Sequence, residues 1–268
     1  MHNAVYSQLG LNRRLAAYDP KNENGFLKLA EQLRAGDIAG LCVTIPYKKI
    51  AATVCDNLTQ TAQRIAACNY IRRESDGSLT GHNTDAGGFA AAVTRKLGLI
   101  LADCNTIICG TGGTAAAITD ALLQAQQAQQ SQPNSKSSDI RNSARITIVS
   151  RTALPDASLT TLSYNQLTQL STSYDLLVNT TPLGMKDDQS PVSADWLKKH
   201  VGHVYDVVYR KSGTTPLVSS AQRNGIPAAD GLSMLKEQAI LGMDFWNLQQ
   251  ESGIDDDTIR SIIDSSFL

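Results

Sequence analysis

The sequence predicts an α/β protein of two domains, and three observations lead there. Short apolar runs alternate with helix-period segments along most of the 268 residues, the pattern of βα units and a largely parallel sheet. One of those runs passes directly into a glycine-rich turn and an alanine-rich helix, the usual opening of a Rossmann-like domain. The length allows one large domain or two modest ones, and a hydrophobic content of 42% is ample for a packed core.

In chain order the strand candidates are Leu15 to Tyr18, Leu41 to Ile45, Asn69 to Arg72, Thr106 to Cys109, Ile146 to Ser150, Asp175 to Val178 and His203 to Val208, with helical patterns between them. The glycine turn follows the fourth of these, so the second domain is expected to start there, with Asn83 to Leu97 as a connecting helix. Gly231 to Gln250 resumes an amphipathic pattern after the last strand, and the C-terminal helices are expected to pack back on the first domain. The boundaries are then 1–84 with 233–268 for one domain and 85–232 for the other. Gln124 to Ser143, rich in Gln, Ser and Asn and containing Pro133, reads as a helix extension followed by a tolerated surface loop.

Composition excludes several classes of function. Net charge is −1 with Lys and Arg scattered, which leaves no footprint for nucleic acid or an anionic membrane and points to a small-molecule partner. The five cysteines show no CxxC pair and no Cys/His ligand spacing, so they read as buried thiols in a reducing compartment rather than as a disulfide framework or metal site. No apolar run approaches the roughly 20 residues needed to span a bilayer. The start, Met1-His2-Asn3-Ala4, lacks the regions of a signal peptide, and a cytoplasmic location is expected. His2, His82, His200 and His203 are scattered and are read as non-catalytic, and Phe245 and Trp246 as core residues on a helical stripe.

Gly110-Thr111-Gly112-Gly113-Thr114-Ala115 follows the apolar run Thr106 to Cys109 and precedes a helix, matching G-x-G-x-x-A in strand-turn-helix context. Gly110 permits a tight turn, Gly112 lets a pyrophosphate approach the backbone, and Ala115 keeps the helix close to the sheet. The helix N-terminus then offers free N–H groups to phosphate. A site selective for NAD places an acidic residue after the second strand; here that strand ends in Ser150-Arg151-Thr152, whose guanidinium and hydroxyls suit a 2′-phosphate and favour NADP.

In the first domain Val43-Thr44-Ile45-Pro46-Tyr47-Lys48 ends a strand at a proline with a lysine just beyond it, and Gly81-His82-Asn83-Thr84-Asp85 places polar groups at a helix start. Each is ordinary alone. With the Asn69 segment, GTGGTA, SRT, NTTPLGM at Asn179 to Met185, DVVY at Asp206 to Tyr209 and GLSMLKEQA at Gly231 to Ala239, they resemble the shikimate dehydrogenase family, in order and over nearly the whole chain. The resemblance implies reversible NADP-linked oxidation of shikimate to 3-dehydroshikimate in the pathway to chorismate and the aromatic amino acids. It implies an N-terminal α/β substrate domain and a Rossmann-like NADP-binding domain with a cleft between them, and it admits a homodimer. By position, Lys48 and Asp85 become the catalytic pair, while Thr44, Asn69, Asp85, Tyr209 and Gln238 hold the substrate. Gly110, Thr111, Gly112, Gly113, Thr114, Ser150, Arg151 and Thr152 hold NADP, with Val207 and Gly231 at the nicotinamide end.

Three departures from the family pattern set further expectations. Members open with a strand and a Ser-x-Ser turn, whose hydroxyls bind the substrate carboxylate, before a His-Asn helix start; here His2-Asn3 follow Met1 directly. The first sheet is therefore expected to lack a central strand and the carboxylate one of its clamps. Cys42 stands where the family usually has asparagine, and Tyr70 where it usually has threonine. These differences leave two alternatives: a dehydrogenase of quinate or another polyol acid, and a non-catalytic NADP-binding relative.

Overall fold

A computed structural model describes residues 1–131, 145–151, 159–211 and 213–266. Its elements begin with α1 (His2–Gln8), α2 (Glu23–Ala35), β1 (Gly40–Cys42), α3 (Lys48–Thr53), β2 (Asn57–Leu58), α4 (Gln60–Ile65), β3 (Tyr70–Arg73), β4 (Leu79–His82) and α5 (Asp85–Leu97). After a 3-10 turn at Leu101–Asp103 come β5 (Thr106–Cys109), α6 (Gly113–Gln130), β6 (Ile146–Val149), β7 (Thr160–Leu162), α7 (Tyr164–Leu167), β8 (Tyr174–Asn179), α8 (Ala194–His200) and β9 (Val201–Asp206). The chain closes with α9 (Pro216–Arg223), β10 (Ala228–Asp230), α10 (Gly231–Phe245), α11 (Leu248–Ser252) and α12 (Asp256–Ser265). Two compact units result, Met1–Gly88 with Lys236–Leu268, and Phe89–Leu235. Among the described residues no helix is long and apolar enough to cross a membrane.

The first unit holds a four-stranded sheet in the order β1-β3-β4-β2. Its β1/β3 and β3/β4 pairs are antiparallel and β2/β4 is parallel. On it lies a core of Phe26 and Leu33 from α2, Ala51 from α3, Ala62 from α4, and Val43, Cys68, Ile71 and Leu79. α2 is bounded as its sequence dictates: the Asn22 side chain accepts the Gly25 N–H at 2.9 Å, and Gly36 closes the helix in the left-handed region at φ 90°. A second core joins Val5 and Tyr6 of α1 to Ala239, Ile240 and Met243 of α10 and to Ile259, Ile262 and Ile263 of α12, so the C-terminal helices pack on the N-terminal one as expected.

Two sequence expectations for this unit need correction. Leu15 to Tyr18 forms no strand. The Asn3 side chain donates to Leu15 O at 2.9 Å and accepts from Leu15 N–H at 2.7 Å, so a side-chain amide takes the bonds a neighbouring strand would make. The sheet is also mixed rather than parallel, because β3 and β4 form a hairpin. Its turn is written in Asp76-Gly77: Asp76 accepts the Ser78 N–H at 2.9 Å and Gly77 takes φ 87°.

The second unit carries a six-stranded sheet in the order β10-β9-β8-β5-β6-β7, with every pair parallel. Counted from β5, this is the doubly wound order 3-2-1-4-5-6, with its switch point between β5 and β8. β5 and β6 are buried along their whole length, which is why they stand out in sequence as unbroken apolar runs. Ile107, Cys109, Val149, Leu177, Val204, Trp196, Leu197, Leu217 and Ala221 pack one face of the sheet. The Gln-rich segment extends α6 to Gln130 as expected, and residues 132–144 lie outside the described residues.

Tyr70, the unusual residue at the start of β3, is 2% exposed. Its ring meets Trp246 edge-on at 4.9 Å, and its hydroxyl hydrogen-bonds His2 Nε2 at 3.0 Å. It fits only because α10 has no side chain at Gly242, where a Cβ would lie 2.0 Å from Tyr70 Cζ. Gly242→Ala is therefore expected to destabilise the protein by about 1–3 kcal/mol through overpacking. In a Tyr70→Thr background the same change should be neutral or stabilising, since alanine favours a helix by about 1 kcal/mol over glycine. Urea unfolding of the four proteins checks this; equal costs in both backgrounds would refute the contact.

Candidate active site

The catalytic candidates of the first unit converge on one carboxylate. After β1 the chain turns, with the Tyr47 N–H donating to Thr44 O at 3.0 Å across a cis Ile45–Pro46 bond, and Lys48 becomes the first residue of α3. Asn69, just ahead of β3, is fixed through its backbone: its carbonyl accepts the Val43 N–H at 2.7 Å and its N–H donates to His82 O at 2.9 Å. After β4 the chain leads through Asn83 and Thr84 into Asp85, the first residue of α5. Three separate segments thus deliver Lys48, Asn69 and Asp85 to one point.

There Lys48 Nζ donates to both Asp85 oxygens, at 2.6 Å to Oδ2 and 2.9 Å to Oδ1. Asn69 Nδ2 donates to Asp85 Oδ1 at 3.0 Å and to Thr84 Oγ1 at 2.9 Å, while Asn69 Oδ1 accepts the Thr84 N–H at 2.9 Å. Asn83 closes the ring, accepting the Asp85 N–H at 2.9 Å and donating to Ala67 O at 3.0 Å. Position at a helix N-terminus further favours the charge on Asp85. The Asp85 side chain is 3% exposed and that of Lys48 23%, so the carboxylate is enclosed and the amine is the member that faces outward. Such a pair can take up and return a proton at a polar group brought to Lys48 Nζ. Thr44 is exposed, and Gln238 lies half-buried on α10. Neither joins this hydrogen-bonded group among the described residues.

In the second unit the glycine turn has the form a pyrophosphate needs. Gly110 takes φ 113°, and a Cβ there would lie 2.5 Å from Thr180 Oγ1, so only glycine fits where β5 meets the loop after β8. At Gly112 and Gly113 a Cβ would meet nothing within 4 Å, leaving open space over the start of α6. Gly112 makes no side-chain cap; the Gly110 N–H donates to Val149 O at 2.9 Å, and the helical ladder begins with the Ala116 N–H on Gly112 O at 3.1 Å. The N–H groups of Gly113, Thr114 and Ala115 therefore precede the helical ladder. Ala115, 2% exposed, keeps this 18-residue helix on the sheet. These features fit a dinucleotide phosphate, with Thr111 at the tip of the turn. At the end of β6, Ser150 is buried and Arg151 exposed; Thr152 lies outside the described residues.

A polar group that sequence reasoning did not assign stands at the ends of β8 and β9. Asp206, fully buried, accepts from Asn179 Nδ2 at 2.9 Å, Thr215 Oγ1 at 2.6 Å and the Val208 N–H at 3.1 Å. Asn179 Oδ1 in turn accepts from the Thr181 hydroxyl at 2.7 Å and its N–H at 3.0 Å, pinning the loop after β8. The blocks NTTPLGM and DVVY were visible in sequence; their mutual contact was not. Val207 donates its N–H to Asn179 O at 2.9 Å, and Gly231 is required beside it, because a Cβ there would fall 1.9 Å from Val207 O. Tyr209 is 43% exposed.

A family model described as the shikimate dehydrogenase substrate binding domain matches residues 1–71. A shikimate dehydrogenase (NADP(+)) of Rubrobacter xylanophilus is 33% identical over 260 residues, 96% of this chain and 86% of the relative. The chain belongs to the shikimate dehydrogenase family. Shikimate 5-dehydrogenase of Thermus thermophilus, crystallised with NADP(H) and shikimate, shares the fold with a TM-score of 0.77 at 24% identity, covering 100% of this chain and 93% of that one. A 5-ketofructose reductase of a Gluconobacter strain superposes with a TM-score of 0.72 at 26% identity, covering 98% and 91%. The same architecture is thus shared by a neighbour named for a different compound, 5-ketofructose.

Burial pushes Asp206 up to about 6, against the three hydrogen bonds that favour its charge. A raised carboxylate contributes stability that is fully present below its unfolded value of 3.8 and is lost as pH rises through about 6. Over that window the group should lower the unfolding free energy by about 3 kcal/mol. Chemical denaturation of wild type and Asp206→Asn from about pH 4 to about pH 7 checks the sign: the wild type should lose stability relative to the variant. Parallel profiles would contradict it.

Proposed function

We propose that this protein is an NADP-dependent shikimate dehydrogenase, interconverting shikimate and 3-dehydroshikimate, with Lys48 and Asp85 as its catalytic pair. The observation that supports this most is the enclosed Lys48–Asp85–Asn69 group, with one amine facing outward, within the unit that the substrate-domain model matches. Oxidation of a carbinol requires its hydroxyl proton to leave with the hydride. Lys48 Nζ receives that proton, and Asp85 holds the amine in place and balances its charge. The two act as one coupled group, so the proton belongs to the pair. Thr44, Asn69, Tyr209 and Gln238 supply hydrogen bonds to the substrate's hydroxyls and carboxylate.

NADP+, when bound, accepts the hydride. Gly110 to Thr114 would hold its pyrophosphate, Ser150, Arg151 and Thr152 its 2′-phosphate, and Val207 and Gly231 its nicotinamide end. In this reading residues 1–84 with 233–268 serve the substrate and residues 85–232 the cofactor. That the same fold occurs in a neighbour named 5-ketofructose reductase supports a second reading, in which the same pair oxidises quinate or another polyol acid.

Lys48→Ala should lower kcat by about 10²–10⁴ while KM for shikimate changes little, as expected for lost proton transfer. Steady-state kinetics with shikimate and with quinate decide the matter. Unchanged turnover in the variant sinks the role of Lys48, quinate turnover without shikimate turnover selects the second reading, and NADP binding with neither marks a non-catalytic relative. Arg151→Ala should raise KM for NADP+ by about tenfold or more, the worth of a charged hydrogen bond to phosphate, and leave NAD+ kinetics unaltered. Equal losses with both cofactors would remove Arg151 from the 2′-phosphate site.

A further inference from the structure

Two of the cysteines meet within the first unit. Cys55 lies just past the end of α3, Cys68 two residues before β3, and Gly81 on β4 lies against both. A Cβ built at Gly81 would stand 2.8 Å from Cys55 Sγ and 3.1 Å from Cys68 Sγ, so the sulfurs share the space that a side chain there would take. The Cys68 thiol hydrogen-bonds Cys55, whose own thiol reaches Ala51 O at 3.1 Å. Two apolar residues would fill this space as well, and neither would make a sulfur–sulfur contact.

Access to the two is unequal. Cys68 is fully buried, whereas Cys55 lines an open surface groove with Leu27, Ala30, Arg34, Thr53 and Asp56. The Arg34 guanidinium is fixed in that groove by Asp56 Oδ2 at 2.6 Å and Val54 O at 3.1 Å. Cys55 is thus a half-buried residue at the edge of the groove, and its thiol has a second thiol beside it. The hydrogen bond from Cys68 holds the Cys55 thiol below its ordinary range, while that same bond and burial push Cys68 up. This is the division of labour between an attacking and a resolving thiol. In the other unit burial pushes Cys104 up to about 11 and Cys109 up to about 12, which leaves both as protonated thiols.

We propose that Cys55 and Cys68 form a redox-active dithiol that closes to a disulfide when a hydroperoxide reaches the Cys55 groove. The Cys55 thiolate attacks the terminal oxygen of the peroxide, breaking its O–O bond, and becomes a sulfenic acid as the remaining alkoxide, or hydroxide in the case of hydrogen peroxide, leaves and takes up a proton from water. Cys68 sulfur then attacks Cys55 sulfur, the S–O bond breaks, and water departs with the Cys68 proton. The peroxide is reduced, the two thiols are oxidised, and an external dithiol reverses the change. The bond would close on the active-site frame: the Cys68 N–H donates to Lys48 O at 2.9 Å, and the next residue, Asn69, holds Asp85.

The test treats the whole native protein with hydrogen peroxide, blocks remaining thiols and maps the peptides by mass. A Cys55–Cys68 linkage lighter by two hydrogens, lost on adding dithiothreitol, is expected. In Cys68→Ser, with no resolving thiol, Cys55 should accumulate sulfinic acid about tenfold or more faster than in wild type. Sulfinic acid at Cys55 at the same rate in both proteins overturns the proposal. So does an unreacted Cys55, or linkage spread evenly among all five cysteines. Shikimate turnover measured alongside reports on the proposed function alone: a protein that forms the disulfide yet turns over no shikimate loses the function and keeps the dithiol.

Discussion

The first unit is organised around a charge that has almost no access to water. Removing a carboxylate from solvent is costly, and the cost is offset only when the charge is paired and its lone pairs are filled. Asp85 meets both conditions through Lys48 and Asn69, with Asn83 fixing its backbone and α5 lending its positive end. None of these groups is a sequence neighbour of all the others. The loop after β1, the residue before β3 and the start of α5 must each be in register before the pair can form. Loss of one partner from such a group is worth about 3–5 kcal/mol. Geometry at Lys48 Nζ and stability of the unit are therefore set by the same contacts.

Asp206 shows the alternative solution to the same problem. It too is enclosed, but its three donors are an amide, a hydroxyl and a backbone N–H, with no cation among them. Neutral donors offset burial incompletely, and its proton affinity rises accordingly. What the group provides is position. Through Asn179 it ties the end of β8 to the end of β9, and both loops leaving those strands take their direction from it. One buried carboxylate is matched with an amine that can exchange a proton; the other is held by groups that cannot, and acts as a joint.

How far each unit could be read from sequence follows from how its strands are buried. β5 and β6, covered on both faces, are unbroken apolar runs, and the glycine turn between β5 and α6 has a form with few other uses. The mixed sheet of the first unit is written more faintly. β4 alternates buried and half-buried residues over four positions, and its only strong mark is the Asp76-Gly77 turn. Leu15 to Tyr18 has a strand's pattern, yet Asn3 satisfies Leu15 instead, a choice that no local periodicity encodes. At the site, Lys48, Asn69 and Asp85 were legible as members of family blocks. Thr215 was not, because nothing beside it in sequence announces a contact with Asp206.

The position of Asn69 depends on a layer behind it that composition alone does not suggest. Tyr70 is its neighbour in the chain and turns to the opposite face of the strand, where its ring closes on bare backbone at Gly242 and on the edge of Trp246. Trp246 Nε1, from the residue just past α10, donates to Ile71 O at 3.1 Å, so the end of α10 and the residue that follows it meet β3 at two successive positions. Gln238 lies four residues before Gly242 on that helix and shares its face. The contact that lets Tyr70 fit thus also sets the height at which α10, the helix that carries Gln238, meets β3. The large residue at position 70 is accommodated by the absence of a side chain at Gly242 on α10, and the two positions are best understood as one packing unit.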